Sequence, residues 1–193
     1  SKDDLFNINT LGFRGEALPS IGSVSKMTIA TSDEESSTLL EVTGGVITNC
    51  SSTELRRGTS ISVCDIFYNT PARFKYLKSL HTELANILNY VNKMALANPS
   101  ISFYLENDSK VLLNTDGSGN LLKVINSIYG LDVTKKMLKV ECSNSDYVVS
   151  GYISYPEINR SSRNNITLLV NGRYVRNNDI TRSILDGYHT YLP

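Results

Sequence analysis

Gly12-Phe13-Arg14-Gly15-Glu16-Ala17-Leu18 stands apart from the rest of the chain. Its two glycines, three apart, admit backbone conformations closed to other residues and let main-chain N–H groups come close to a ligand. A helical pattern opens just after them, and a helix start offers free N–H groups and a partial positive charge that suit an anion. Arg14 adds a planar, forked cation matched to phosphate oxygens. The plainer reading of the same residues is a loop-to-helix turn in which Glu16 complements the helix dipole. Spacing alone does not separate the two, because Gly-x-x-Gly is common.

Outward from this stretch, residues 15–24 read as a short helix and Lys26–Thr31 as a strand. Leu39–Thr43 and Val46–Asn49 flank Gly44-Gly45, a hairpin signal. Ser60–Phe67 reads as a further strand, and Pro71 stands where a helix can start without losing a hydrogen bond. Leu84, Ile87, Leu88, Val91, Met94 and Ala95 form one apolar stripe at helical spacing that ends before Asn98-Pro99. Ile101–Leu105 and Val111–Asn114 predict a hairpin about Asn107-Asp108. Thr115-Asp116-Gly117-Ser118-Gly119-Asn120 carries only turn formers and reads as a linker. A helix from Leu121 to Gly130 follows, then strands near Leu138–Cys142 and Tyr147–Tyr155. Asn171-Gly172 between Ile166–Val170 and Arg173–Val175 predicts a type I′ hairpin. A last helix starts near Asn178. The pattern is α+β, divided near residue 116 into two lobes.

The 193 residues carry 19 basic and 19 acidic side chains. The zero sum hides an asymmetry, with 3 basic and 8 acidic residues in 1–54 against 16 and 11 in 55–193. The basic residues of the second part are scattered, which fits a solvated surface or a weakly basic groove for nucleic acid. No apolar run approaches the ~18 residues of a membrane helix. Cys50, Cys64 and Cys142 are an odd number without short pairing, which points to a reducing compartment. His81 and His189 are isolated, so no zinc site is expected. Asp33-Glu34-Glu35 reads as a solvated loop. Tyr147, Tyr152 and Tyr155 read as half-buried sheet residues, with base stacking as the alternative. The chain begins at Ser1 rather than Met and ends at Pro193 just after a helical pattern, so both ends are expected to be cuts, with Ser1-Lys2 native or a tag remnant.

As a literal string, GFRGEAL resembles the signature of the MutL family of DNA mismatch repair proteins. The resemblance continues through Arg57-Gly58-Thr59-Ser60-Ile61 and through Asp65-Ile66-Phe67-Tyr68-Asn69-Thr70-Pro71-Ala72-Arg73-Phe74-Lys75-Tyr76-Leu77. It reaches Leu169-Val170-Asn171-Gly172-Arg173. The family implies the rear part of a GHKL-type (Bergerat) ATPase α/β sandwich over 1–116. A lobe like domain 2 of ribosomal protein S5, truncated at its C-terminus, is implied over 117–193. It assigns Gly12, Phe13, Arg14, Gly15, Glu16, Ala17 and Leu18 to the phosphate side of a nucleotide site, and Gly58 and Thr59 to its adenine side. Arg73, Lys75, Lys78, Arg173 and Arg176 are implied edges of a DNA groove.

The resemblance further implies a parent protein that binds ATP with Mg²⁺ and hydrolyses it slowly, gating dimer closure and engagement of DNA and a MutS-type mismatch-recognition protein in the bacterial cytoplasm, at the nucleoid. The family's E-N-S-x-D-A-G-A, D-N-G-x-G-I and N-V-H-P-x-K strings do not occur in this sequence. The chain by itself is therefore expected to lack the general base and the metal-binding asparagine, to hydrolyse no ATP and to bind no cofactor of its own. The competing readings are a non-catalytic nucleic-acid or partner-binding module, and another GHKL ATPase such as a type II topoisomerase subunit.

Overall fold

The computed structural model describes residues 15–160, 162 and 165–191. They fall into two compact units divided between Ser79 and Leu80.

The first unit is a four-stranded antiparallel sheet in the order β3-β2-β1-β4, from β1 (Lys26–Ser32), β2 (Ser37–Thr43), β3 (Val46–Ser51) and β4 (Gly58–Cys64). Helix α1 (Ala17–Gly22) precedes it and α2 (Pro71–Lys75) follows. The Gly44-Gly45 hairpin forms as expected, with both glycines at positive φ (59° and 87°). Strand alternation sends Met27, Ile29 and Thr31 to one face, opposite Val42, Leu40 and Thr38 on β2 and Val63, Ile61 and Thr59 on β4. Met27, Val42 and Val24 are buried, whereas Ile61 and Val63 remain exposed. Asp33-Glu34-Glu35 is the β1–β2 turn, closed by the Asp33 carboxylate, which accepts from the N–H groups of Glu35 and Ser36.

Strand β4 ends at Cys64 rather than at Phe67. Asp65 and Phe67 take positive φ (52° and 66°), which breaks the extended chain. The left-handed region costs a side-chain-bearing residue roughly 1–2 kcal/mol, so neighbouring contacts must hold this corner.

The second unit holds α3 (Leu80–Ala97), β5 (Tyr104–Asn107), β6 (Lys110–Asn114), α4 (Leu121–Tyr129), α5 (Leu131–Thr134), β7 (Met137–Ser143), β8 (Val148–Ser154), β9 (Leu168–Val170), β10 (Arg173–Val175) and α6 (Asn178–Tyr188). Its strands pair as three antiparallel hairpins. Ala95 and Leu96 of α3, Leu113 of β6, and Val124 and Ile125 of α4 make one core, with Met137 and Tyr152 packed at its margin. This core explains why packing divides the chain at 79/80 while composition divides it near 116. Helix α3 and the β5–β6 hairpin bury their apolar faces against α4.

The Thr115–Asn120 stretch is consequently a fixed corner, not a slack linker. Thr115 is buried, and its Oγ1 accepts from the Phe103 N–H at 2.8 Å. The Ser102 hydroxyl donates to the Thr115 carbonyl at 2.7 Å. Asn120 caps α4, accepting from the N–H groups of Leu122 and Lys123. The β5–β6 turn falls on Asp108 and Ser109, both at positive φ, one residue later than the sequence implies. The Asn171-Gly172 turn has the expected pair of positive φ values, 49° and 74°. Among the described residues, no helix is long and apolar enough to cross a membrane.

Candidate functional site

Gly12, Phe13 and Arg14 lie outside the described residues. Gly15 has the positive φ (64°) that its reading as a loop glycine asks for. Glu16 occupies the N-cap position of α1 without a side-chain cap bond, and its carbonyl accepts from the Ser20 N–H at 3.1 Å. Ala17 and Leu18 form the exposed first turn of α1.

Gly58 and Thr59 open β4, at the far end of the sheet. There Thr59 and Thr31 share a hydrogen bond between their hydroxyls at 2.8 Å. An open cleft of about 460 Å³ lies here, lined by Thr31, Thr53, Arg56, Arg57, Thr59 and Ser60 among others. The antiparallel register sets Lys26 opposite Cys64 and Thr31 opposite Thr59. The strand end next to α1 and the Thr59 end are thus five residues apart along β1, roughly 17 Å. Among the described residues, Gly15 to Leu18 precede the Lys26 end of β1, and Gly58 and Thr59 stand at its other end. Thr31 was not legible in the sequence as the partner of Thr59, because the pair appears only once the β1–β4 register is known.

The candidate DNA residues fall in two places. Arg73 and Lys75 sit exposed in the last turn of α2, and Lys78 lies in the segment that follows. Arg173 belongs to β10 and Arg176 comes just after it, in the second unit. The structure adds a residue of α3 that lies outside its apolar stripe. Lys93, only 8% exposed, holds its ammonium 4.2 Å from the centroid of the Tyr174 ring. The Arg176 Nε–H donates to the Tyr174 hydroxyl at 3.3 Å. Arg176 first, and Lys93 after it, hold the Tyr174 phenol below its ordinary pKa. Among the described residues, neither Lys93 nor Arg176 pairs with a carboxylate. Two cations therefore converge on one phenol at the β9–β10 hairpin, Lys93 buried against the ring and Arg176 exposed. Tyr147 is largely exposed, Tyr155 partly so, and Tyr152 packs at the edge of the core.

No cluster of three or more His, Cys, Asp or Glu residues fit to hold a metal occurs among the described residues. The three cysteines are exposed and free.

The described residues thus form a mixed α/β protein with glycine turns along one sheet and a cationic hairpin in the second unit. The comparisons make the class definite. Residues 125–193 match the family model described as DNA mismatch repair protein, C-terminal domain. The chain is 51% identical over 194 residues to the DNA mismatch repair protein MutL of Streptococcus agalactiae, covering 100% of this chain and 30% of that protein. It is 48% identical over 191 residues to MutL of Anoxybacillus flavithermus, covering 98% of this chain and 31% of that protein. Among solved structures, an N-terminal domain of a DNA repair protein superposes with a TM-score of 0.79 at 25% identity, over 95% of this chain and 62% of that one. The Aquifex aeolicus MutL ATPase domain complexed with ADP superposes with a TM-score of 0.75 at 24% identity, over 97% and 70% respectively, which shows the shared fold. The chain belongs to the MutL family of DNA mismatch repair proteins. It spans about 30% of the length of the curated relatives it matches.

Proposed function

We propose that this chain is part of a MutL-type protein that, as a whole, binds ATP with Mg²⁺ and hydrolyses it slowly. The cycle gates closure of its N-terminal lobes as a dimer and engagement of DNA and of a MutS-type partner, in the cytoplasm at the nucleoid. The observation that carries this reading is likeness to MutL proteins from one end of the chain to the other, rather than in one motif. Gly12 to Leu18 take the phosphate side of the nucleotide. Gly58 and Thr59 take the adenine side, where the Thr31–Thr59 hydroxyl pair and the open cleft leave room for an edge of a base. Arg73, Lys75, Lys78, Arg173 and Arg176 contact the DNA backbone. The lobe boundary at 116/117 is the family's own division, supported by the start of the family match at residue 125.

The 193 residues alone hold too little of the site to turn ATP over. The strings that carry the general base and the metal-binding asparagine are not in this sequence. Calorimetric titration with a non-hydrolysable ATP analogue tests this. Binding weaker than millimolar is expected, and micromolar binding by this chain would overturn the division of labour.

A second reading, a nucleic-acid-binding module without catalysis, is favoured by the Lys93–Tyr174–Arg176 arrangement. It predicts duplex-DNA binding that weakens steeply with salt. Arg176→Glu should lower the slope of log affinity against log salt by about one or more. No binding at ~50 mM salt would remove the DNA reading for this chain.

A further inference from the structure

The turn after α1 is gripped from two sides. On one side the Gly44 N–H donates to the Ser25 carbonyl at 3.0 Å and the Gly45 N–H to the Gly22 carbonyl at 2.9 Å. On the other stands the corner Asp65–Asn69. The Phe67 N–H donates to the Val24 carbonyl at 2.6 Å, and Asn69 Nδ2–H donates to the Ser23 carbonyl at 2.9 Å. Lys26 Nζ donates to Asp65 Oδ2 at 2.8 Å. The Tyr68 hydroxyl lies against Gly44, where a Cβ would stand 2.6 Å from it. Between the two grips Ser25 is wholly buried, and its hydroxyl donates to the Ile21 carbonyl at 2.7 Å.

The corner runs without a break into α2. The Thr70 N–H donates to the Phe67 carbonyl at 3.0 Å, and the N–H groups of Arg73 and Phe74 donate to the Thr70 carbonyl. Two non-glycine residues in the left-handed region, Asp65 and Phe67, persist because these contacts over-determine them. A segment held this way has one stable arrangement against its neighbour and moves with it, instead of bending.

We infer that the Asp65–Asn69 corner is a clasp that makes the turn after α1 and helix α2 one moving piece. A displacement reaching α1 is thereby passed to Arg73 and Lys75. Asn69 is the positioning residue, since its side chain joins the corner directly to the α1 turn. What the clasp transmits, from nucleotide to DNA, rests on the function proposed above. That the clasp exists does not.

The test uses this 193-residue chain and NMR of its backbone amides. Ser20→Gly loosens α1 at a residue outside the candidate site, and Asn69→Asp keeps the size of the side chain while removing the donor. In the wild type, Ser20→Gly is expected to shift the amide resonances of residues 71–76. In the Asn69→Asp background that response should fall at least threefold, and order parameters over 71–76 should drop from about 0.85 towards about 0.6. Strands β1 and β2 should keep their values in both variants. If Asn69→Asp disturbs those strands, Asn69→Ser, whose hydroxyl is too short to reach the Ser23 carbonyl, replaces it in the same cycle. A wild type in which Ser20→Gly leaves 71–76 unmoved overturns the inference, as does an undiminished response in the Asn69 variant. Loss of DNA binding in the wild-type samples would count against the proposed function alone.

Discussion

Replacing Gly117 by alanine separates a fixed corner from a linker. Gly117 has φ +65°, and a Cβ there would lie 2.8 Å from the Ser102 nitrogen, 3.2 Å from the Ile101 carbonyl carbon and 3.3 Å from the Ser100 oxygen. All three are main-chain atoms, so the clash cannot be relieved by turning a side chain. Two residues on, Gly119 has φ +78°, but its nearest contact would be Ser100 Oγ at 3.9 Å. Both substitutions force a side-chain-bearing residue into the left-handed region, at roughly 1–2 kcal/mol. Only Gly117→Ala must also push the 100–102 main chain away from Thr115, an overpacking cost of about 1–3 kcal/mol.

The expected losses are therefore roughly 2–5 kcal/mol for Gly117→Ala and 1–2 for Gly119→Ala. The chain has no tryptophan, so urea unfolding is followed by far-UV circular dichroism together with tyrosine emission. Both probes should show the transition of the second unit moving to lower midpoint with its slope preserved. The decisive quantity is the difference between the two variants. A gap below about 0.5 kcal/mol would mean that the 115–120 segment yields as a linker does, and the reasoning from its packing would fail.

The remaining predictions concern the same unit. Leu113→Ala opens a cavity among Ala95, Leu96, Val124 and Ile125 and should cost about 2–5 kcal/mol by urea unfolding; a loss under about 1 would show that this core is not closed. Lys123, and behind it the Ser118 N–H, hold the Asp116 carboxyl well below the usual carboxylate range. A depressed carboxyl stabilises fully above its unfolded value of 3.8 and loses that contribution as pH falls below it. Asp116→Asn should accordingly lower stability at neutral pH and flatten the acid limb below pH ~4, so that the gap between the two acid-unfolding curves narrows steadily as pH falls. Parallel curves would refute the assignment.

Much of this architecture is legible from periodicity and turn chemistry. The α3 stripe, the α4 stripe ending at Gly130, and the Gly44-Gly45 and Asn171-Gly172 hairpins all form where local rules put them. The misreadings share a cause. The 115–120 segment has a linker's composition, yet its polar groups bond back to Ser102 and Phe103, partners that lie 12 or 13 residues away in sequence. Asp65 and Phe67 break β4 by adopting positive φ without glycine, which no propensity announces. Four residues are too few for a period, so α5 left no signal. Lys93 lies outside the apolar stripe of α3, and nothing local in the sequence tells of the Tyr174 ring packed on its ammonium.

The candidate site depends on the one thing a single strand's sequence does not specify, its register. Thr59 meets Thr31 because Met27 faces Val63 and Ile29 faces Ile61 on the same side of the sheet. A slip of one residue would turn Thr59 to the opposite face and leave both apolar pairs unmatched. The hydroxyl pair at one end of β1 is thus set by apolar contacts in the middle of the sheet. At the other end the Lys26–Asp65 pair, whose carboxylate holds the lysine above its ordinary pKa, stands where the corner to α2 begins. That pair is exposed and screened, so its share in fixing the register is small. Ile61 and Val63 keep part of their surface open to solvent, so the register rests on their contacts with Ile29 and Met27 more than on this ion pair.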